Sequence, residues 1–87
     1  MGKMMETDNL TTIRGIVLAA EWEKNGLISA VDIAGYDEKT YRVVNDTIGN
    51  QLVACVKKRV AAEGTIMKRK GRLTLTVHRF RIDTADP

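Results

Sequence analysis

The chain is expected to fold as a mainly β protein, a five-stranded barrel with one α-helix between strands 3 and 4. Three observations lead there. Alternating apolar runs separated by turn residues recur along the sequence. One segment after Asn45 switches from the strand period of two to a helical stripe. The last two runs are joined by the short cationic link Lys68-Arg69-Lys70-Gly71.

Strand 1 is expected over Thr12 to Trp22, where Ile13, Val17 and Ala19 alternate with Arg14, Leu18 and Ala20 around Gly15, the expected point of bending. Glu23-Lys24-Asn25-Gly26 follows, and its Asn-Gly pair predicts a type I′ hairpin turn. Strand 2, Leu27 to Ala34, sets Leu27, Ser29, Val31 and Ile33 inward, because Asp32 assigns the other face to solvent. After Gly35-Tyr36-Asp37-Glu38, a short strand 3 runs from Thr40 to Val44 with Tyr41 and Val43 on one side, completing a meander.

Asn45-Asp46-Thr47 is a cluster of N-cap residue types, and Ile48, Leu52, Val53 and Val56 form an apolar stripe behind it. This predicts a helix from about Thr47 to Lys58, roughly three turns long, with Lys57, Lys58 and Arg59 against the negative end of its dipole. Strand 4, Arg59 to Met67, carries Val60, Ala62, Gly64 and Ile66 on its inner face. Strand 5, Arg72 to Ile82, begins with Leu73, Leu75 and Val77 inward and then slips phase, since Phe80 and Ile82 are even-numbered. A β-bulge at His78-Arg79 would return Phe80 to the core.

With 87 residues the chain forms one domain, expected over residues 11–82, between a polar N-terminal arm, 1–10, that frays and a short tail, 83–87. The single Cys55 has no disulfide partner in the chain and reads as a small buried hydrophobe. The first residues contain no apolar stretch of the kind a leader or a membrane span needs, so the chain as given reads as cytoplasmic, without a membrane partner.

Charge is unevenly spread. Residues 57–81 hold nine cations against Glu63 alone, while the rest of the chain holds five cations against ten acids, for a net charge of +3. Such asymmetry either presents a positive face to phosphates or neutralises itself across neighbouring strands. No catalytic constellation is visible, so an enzyme is not expected. His78 is the only histidine and has no carboxylate or cysteine at a ligand-like spacing, so no metal site and no cofactor are expected. The acids Glu21/Glu23, Asp37/Glu38 and Asp83/Asp86 fall at turns and ends, where acids commonly serve solvation.

Two segments, Ile13-Arg14-Gly15-Ile16-Val17 and Val60-Ala61-Ala62-Glu63-Gly64-Thr65-Ile66, resemble the first and fourth strands of the OB-fold, a small Greek-key barrel that binds oligonucleotides or oligosaccharides. The resemblance spans about Thr11 to Ile82. It implies a ligand face on strands 2 and 3, flanked by the loops Glu23 to Gly26 and Lys68 to Gly71. It also implies weak, sequence-independent binding of single-stranded DNA or RNA. Lys68, Arg69, Lys70 and Arg72 would contact phosphates, and Arg79 and Arg42 would extend the track. Trp22 either stacks a base or caps the barrel mouth. The other expectation is an assembly module, a homodimer joined through an outward apolar patch of Ile16, Leu18, Ile28 and Val44.

Overall fold

In the computed structural model, which describes residues 10–83, the chain forms β1 (Leu10–Trp22), β2 (Ile28–Gly35), β3 (Thr40–Val43), α1 (Thr47–Gln51) continued by a 3-10 turn (Leu52–Cys55), β4 (Arg59–Arg69) and β5 (Arg72–Ile82). Apart from Leu10 and Asp83, the arm and tail expected at the two ends lie outside the described residues. The strands close into a barrel in the order β1-β2-β3-β5-β4, and only the β3–β5 contact is parallel. The expected mainly β, five-stranded barrel with one helix between β3 and β4 is therefore the architecture observed.

β1 closes the barrel by serving two partners. Its first half, Leu10 to Ile16, pairs with β4, and its second half, Gly15 to Trp22, pairs with β2. Gly15 stands at the changeover, where a side chain would run into the Ala34 carbonyl. The alternating inner positions then meet in one core: Val17, Ile33, Leu52, Val60 and Leu75 are fully buried, with Ile13, Val31, Tyr41, Val43, Ala62 and Val77 around them. Tyr41 fills the barrel, as its phase with Val43 predicts, and its hydroxyl donates to Asp37 Oδ2 at 2.7 Å. Cys55 is buried and free.

The bulge predicted from the phase slip is present. Glu63 opposes Arg79 and Gly64 opposes Val77, so His78 is the extra residue of β5, and Phe80 packs back against the core.

Four local expectations are corrected. Of the two turn residues Asn25 and Gly26, only Gly26 is left-handed, at φ 89°. The Glu23 N–H donates to the Leu27 carbonyl at 2.7 Å and the Gly26 N–H to the Glu23 carbonyl at 2.9 Å, enclosing a three-residue loop rather than a type I′ turn. The Asn25 side chain instead accepts from the Leu27 N–H at 3.0 Å, the local bond that Asn makes when it is not needed in a left-handed conformation. The type I′ geometry appears at the other hairpin, where Lys70 (φ 50°) and Gly71 (φ 80°) are both left-handed.

The second correction is in β2: Leu27 is exposed, whereas Ile28 packs against the core. Register shifts between Ala19 and Trp22 rotate the end of the β1–β2 hairpin out of phase. Third, the helix is shorter than its apolar stripe. Asp46 caps it, accepting from the Gly49 N–H at 2.8 Å, but helical structure stops at Cys55. Val17 of β1 takes the next residues as strand-like partners, through Lys57 N–H to Val17 carbonyl at 2.6 Å and Val17 N–H to Lys58 carbonyl at 3.0 Å. Lys57, Lys58 and Arg59 therefore do not sit in a last helical turn. Finally, Ile82 is half exposed at the barrel rim despite its inward phase.

Candidate nucleic-acid interface

The β4–β5 hairpin carries the densest charge in the molecule. From Arg59 to Ile82 it holds seven cations, Arg59, Lys68, Arg69, Lys70, Arg72, Arg79 and Arg81, against the single acid Glu63. At its tip Lys68, Arg69, Lys70 and Arg72 are exposed and form no side-chain hydrogen bond or ion pair with any described residue. Arg69 and Arg72 stand directly opposite each other in the ladder, an arrangement that repels, and Lys70, like Glu38 and Lys57 elsewhere, takes a left-handed conformation that non-glycine residues seldom adopt. The tip thus gathers like charges at the end of the hairpin, while the left-handed Lys70 supplies the conformation that its type I′ turn requires.

Beside the tip the barrel wall is split. β3 and β5 pair only at Arg42–Thr74 and Val43–Leu75, extended by the Val44 N–H donating to the Leu75 carbonyl at 2.9 Å. Below that point they diverge around a cleft of about 450 Å³, with Asp32, Lys39, Thr40 and Arg42 on one side and Gly71, Arg72 and Leu73 on the other. Lys39 was not foreseen from the sequence. It follows Asp37 and Glu38, which make its segment read as acidic, yet Asp37 turns its carboxylate onto the Tyr41 hydroxyl and the Lys39 N–H. The Tyr41 hydrogen bond, with the Lys39 amide second, holds the Asp37 carboxyl below its usual pKa.

The remaining expected residues are placed as follows. Arg42 lies on the β2–β3 wall, but its Nε donates to Asp32 Oδ1 at 2.7 Å and its Nη1 to Glu21 Oε2 at 3.2 Å. The Asp32 hydrogen bond raises the guanidinium pKa, so Arg42 is fully engaged by acids of its own chain. Arg79 is paired with Glu63 at 2.5 Å while keeping its side chain 80% exposed. It lies seven residues beyond Arg72 on β5, roughly 23 Å at strand rise. Trp22 is 60% exposed and stands apart from the core, so it does not plug the barrel. His78 is exposed, with Nε2 3.3 Å from the Thr65 hydroxyl.

Of the four apolar residues expected to join two copies, Leu18 alone is exposed. Ile28 packs onto the core, Ile16 and Val44 are half-buried, and Leu18 lies opposite Asp32 in the register, beside the Asp32–Arg42 pair. Among the described residues no three His, Cys, Asp or Glu side chains come together in a way that could hold a metal ion. No helix of the described residues is long and apolar enough to cross a membrane. Comparison with protein-family models and with curated proteins finds no match to this chain.

Proposed function

We propose that this chain is an OB-type barrel that binds single-stranded nucleic acid weakly and without sequence preference, with Lys68, Arg69, Lys70 and Arg72 as its phosphate contacts. The strand order β1-β2-β3-β5-β4, the parallel β3–β5 contact and the helix between β3 and β4 support an OB-type assignment. The observation that carries the functional reading is the tip itself: four exposed cations with no acidic partner among the described residues, held on a tight type I′ turn. Like charges gathered at one surface position, with Arg69 directly opposite Arg72, add nothing to the core and suit a phosphate partner.

A cationic tip of this kind follows a phosphate backbone and reads no base edge. Four contacts to a single strand correspond to a slope of about −2.8 in log K against log salt. Trp22, exposed at the end of β1, supplies a stacking surface, a contribution of about 1–3 kcal/mol for a stacked base. In this reading the chemistry of the site is charge neutralisation.

The test is fluorescence anisotropy of labelled single-stranded DNA and RNA, with the wild-type protein and with Lys68, Arg69 and Lys70 replaced by Ala. Salt-sensitive binding that collapses in the triple variant is expected. Binding that ignores both salt and the substitutions would remove the tip from the site.

A further inference from the structure

We propose that the bound strand leaves the tip along the outer wall of the β4–β5 ribbon and ends on an arginine cluster around Ala61, so that the ribbon holds one polynucleotide at both ends. This inference rests on the nucleic-acid reading above and assigns its path.

Cross-strand partners share a face of a sheet. Arg14, Ala61 and Arg81 form one row across β1, β4 and β5, and Thr12, Glu63 and Arg79 form the next. Ile13, Ala62 and Phe80 form the intervening row on the core side, which places the arginines on the outer wall. The bulge at His78 is what sets Arg79 and Arg81 outward while Phe80 turns in. Between the arginines the small Ala61 leaves a cleft of about 400 Å³, bordered by Thr12, Glu63, Arg79, Phe80 and Arg81.

Among these cations Arg59 and Arg81 form no ion pair with a described residue, and Arg14 stands 3.7 Å from Asp83. All are arginines, whose planar forks match phosphate oxygens in pairs. Following the same outer face toward the tip, the ladder presents Thr65 with Thr76, Met67 with Thr74, and Arg69 with Arg72. Between its cationic ends this stretch offers hydroxyls, an exposed His78 and no acid. The span from Arg72 to Arg79 is roughly 23 Å, or about seven phosphates at a stacked rise.

The β2–β3 wall offers the opposite balance. Residues 28–43 contain Asp32, Asp37 and Glu38 against Lys39 and Arg42, and Glu21 adds a further acid to the Arg42 pair. A phosphate backbone crossing that wall meets net negative charge, whereas the ribbon carries an excess of six positive charges, seven cations against one acid.

The experiment compares wild type, the Arg59→Gln/Arg81→Gln double variant and Lys39→Gln, with circular dichroism confirming that each is folded. The probes are labelled oligo-dT of about three and about twelve nucleotides, titrated at several salt concentrations. The double variant is expected to bind the longer oligomer about tenfold more weakly, with the salt slope reduced by about 1.4. Its affinity for the shorter oligomer, which cannot reach both ends, stays that of wild type, and Lys39→Gln changes either affinity by less than about twofold. A double variant that binds the longer oligomer like wild type overturns the path, and loss on Lys39→Gln assigns the strand to the β2–β3 wall instead. Competition by poly-glutamate as effective as by unlabelled oligo-dT overturns the polynucleotide assignment. Absence of any binding by wild type at low salt overturns the nucleic-acid reading together with this one.

Discussion

Replacing Gly64 by Ala strikes the ribbon at its most crowded point. A methyl group there would overlap the Thr76 carbonyl oxygen, and it would stand 2.9 Å from the Thr76 carbonyl carbon and 3.1 Å from the Val77 Cα. Every one of these neighbours is backbone, so no side-chain rotation relieves the clash. The two strands must separate beside the bulge, where Gly64 opposes Val77. Overpacking of this kind costs about 1–3 kcal/mol, and each ladder hydrogen bond lost adds about 1 kcal/mol. A total of roughly 3 kcal/mol is a large part of the roughly 4–13 kcal/mol that a chain of this length commands. In urea, with a slope near 1 kcal/mol/M for a small domain, the midpoint should fall by about 3 M. Gly26→Ala is the control: its methyl group would meet nothing within 4 Å, and only its φ of 89° is strained, a cost of about 1–2 kcal/mol. If Gly64→Ala unfolds at the same urea concentration as wild type, or later than Gly26→Ala, the described β4–β5 register is wrong.

Two further outcomes follow from single contacts. Lys70→Asn should make the protein more stable by up to about 1 kcal/mol, because Asn tolerates the left-handed first position of a type I′ turn. The same change should flatten the salt slope of oligonucleotide binding by about 0.7, so melting and binding move in opposite directions. The Asp37–Tyr41 bond links stability to pH on both sides. Asp37 has a lowered folded pKa, so its contribution is full above the ordinary carboxylate range and is lost as pH falls through that lowered value. Tyr41 is raised from 10.0 to about 12 by burial first and by Asp37 second, so its contribution is full below pH 10 and is lost as pH climbs through about 12. Urea melts across pH should therefore show shallower acid and alkaline losses in Tyr41→Phe, and unchanged limbs would contradict the bond.

Period was the most legible feature of the sequence. The phase slip from Val77 to Phe80 located the bulge at His78, because a one-residue offset is the only way an antiparallel strand returns an apolar side chain to the same face. Local turn chemistry was less legible. Asn25-Gly26 carries the strongest type I′ signal, yet the register shifts at Ala19 to Trp22 set a three-residue loop there, while Lys70-Gly71 takes the tighter turn. The apolar stripe runs past the end of the helix because Val56 continues it, whereas the hydrogen bonds of Lys57 and Lys58 to Val17 are a tertiary choice that no local pattern announces. For the candidate site the cations were legible and their partners were not. Asp32 with Arg42 and Glu63 with Arg79 are cross-strand neighbours, visible only once the register is known. The free tip and the engaged Arg42 look alike as letters in a sequence, and only the pairing separates them.

The most direct check is amide chemical-shift mapping of the isotope-labelled protein on addition of single-stranded oligo-dT at low salt. Shifts concentrated on Lys68 to Arg72 and running down the outer ribbon through Thr76, Arg79 and Arg81 to Arg59 and Arg14 are the predicted result. Shifts confined to residues 28–43, or none at saturating oligonucleotide, would contradict the assignment of the β4–β5 ribbon as the nucleic-acid surface.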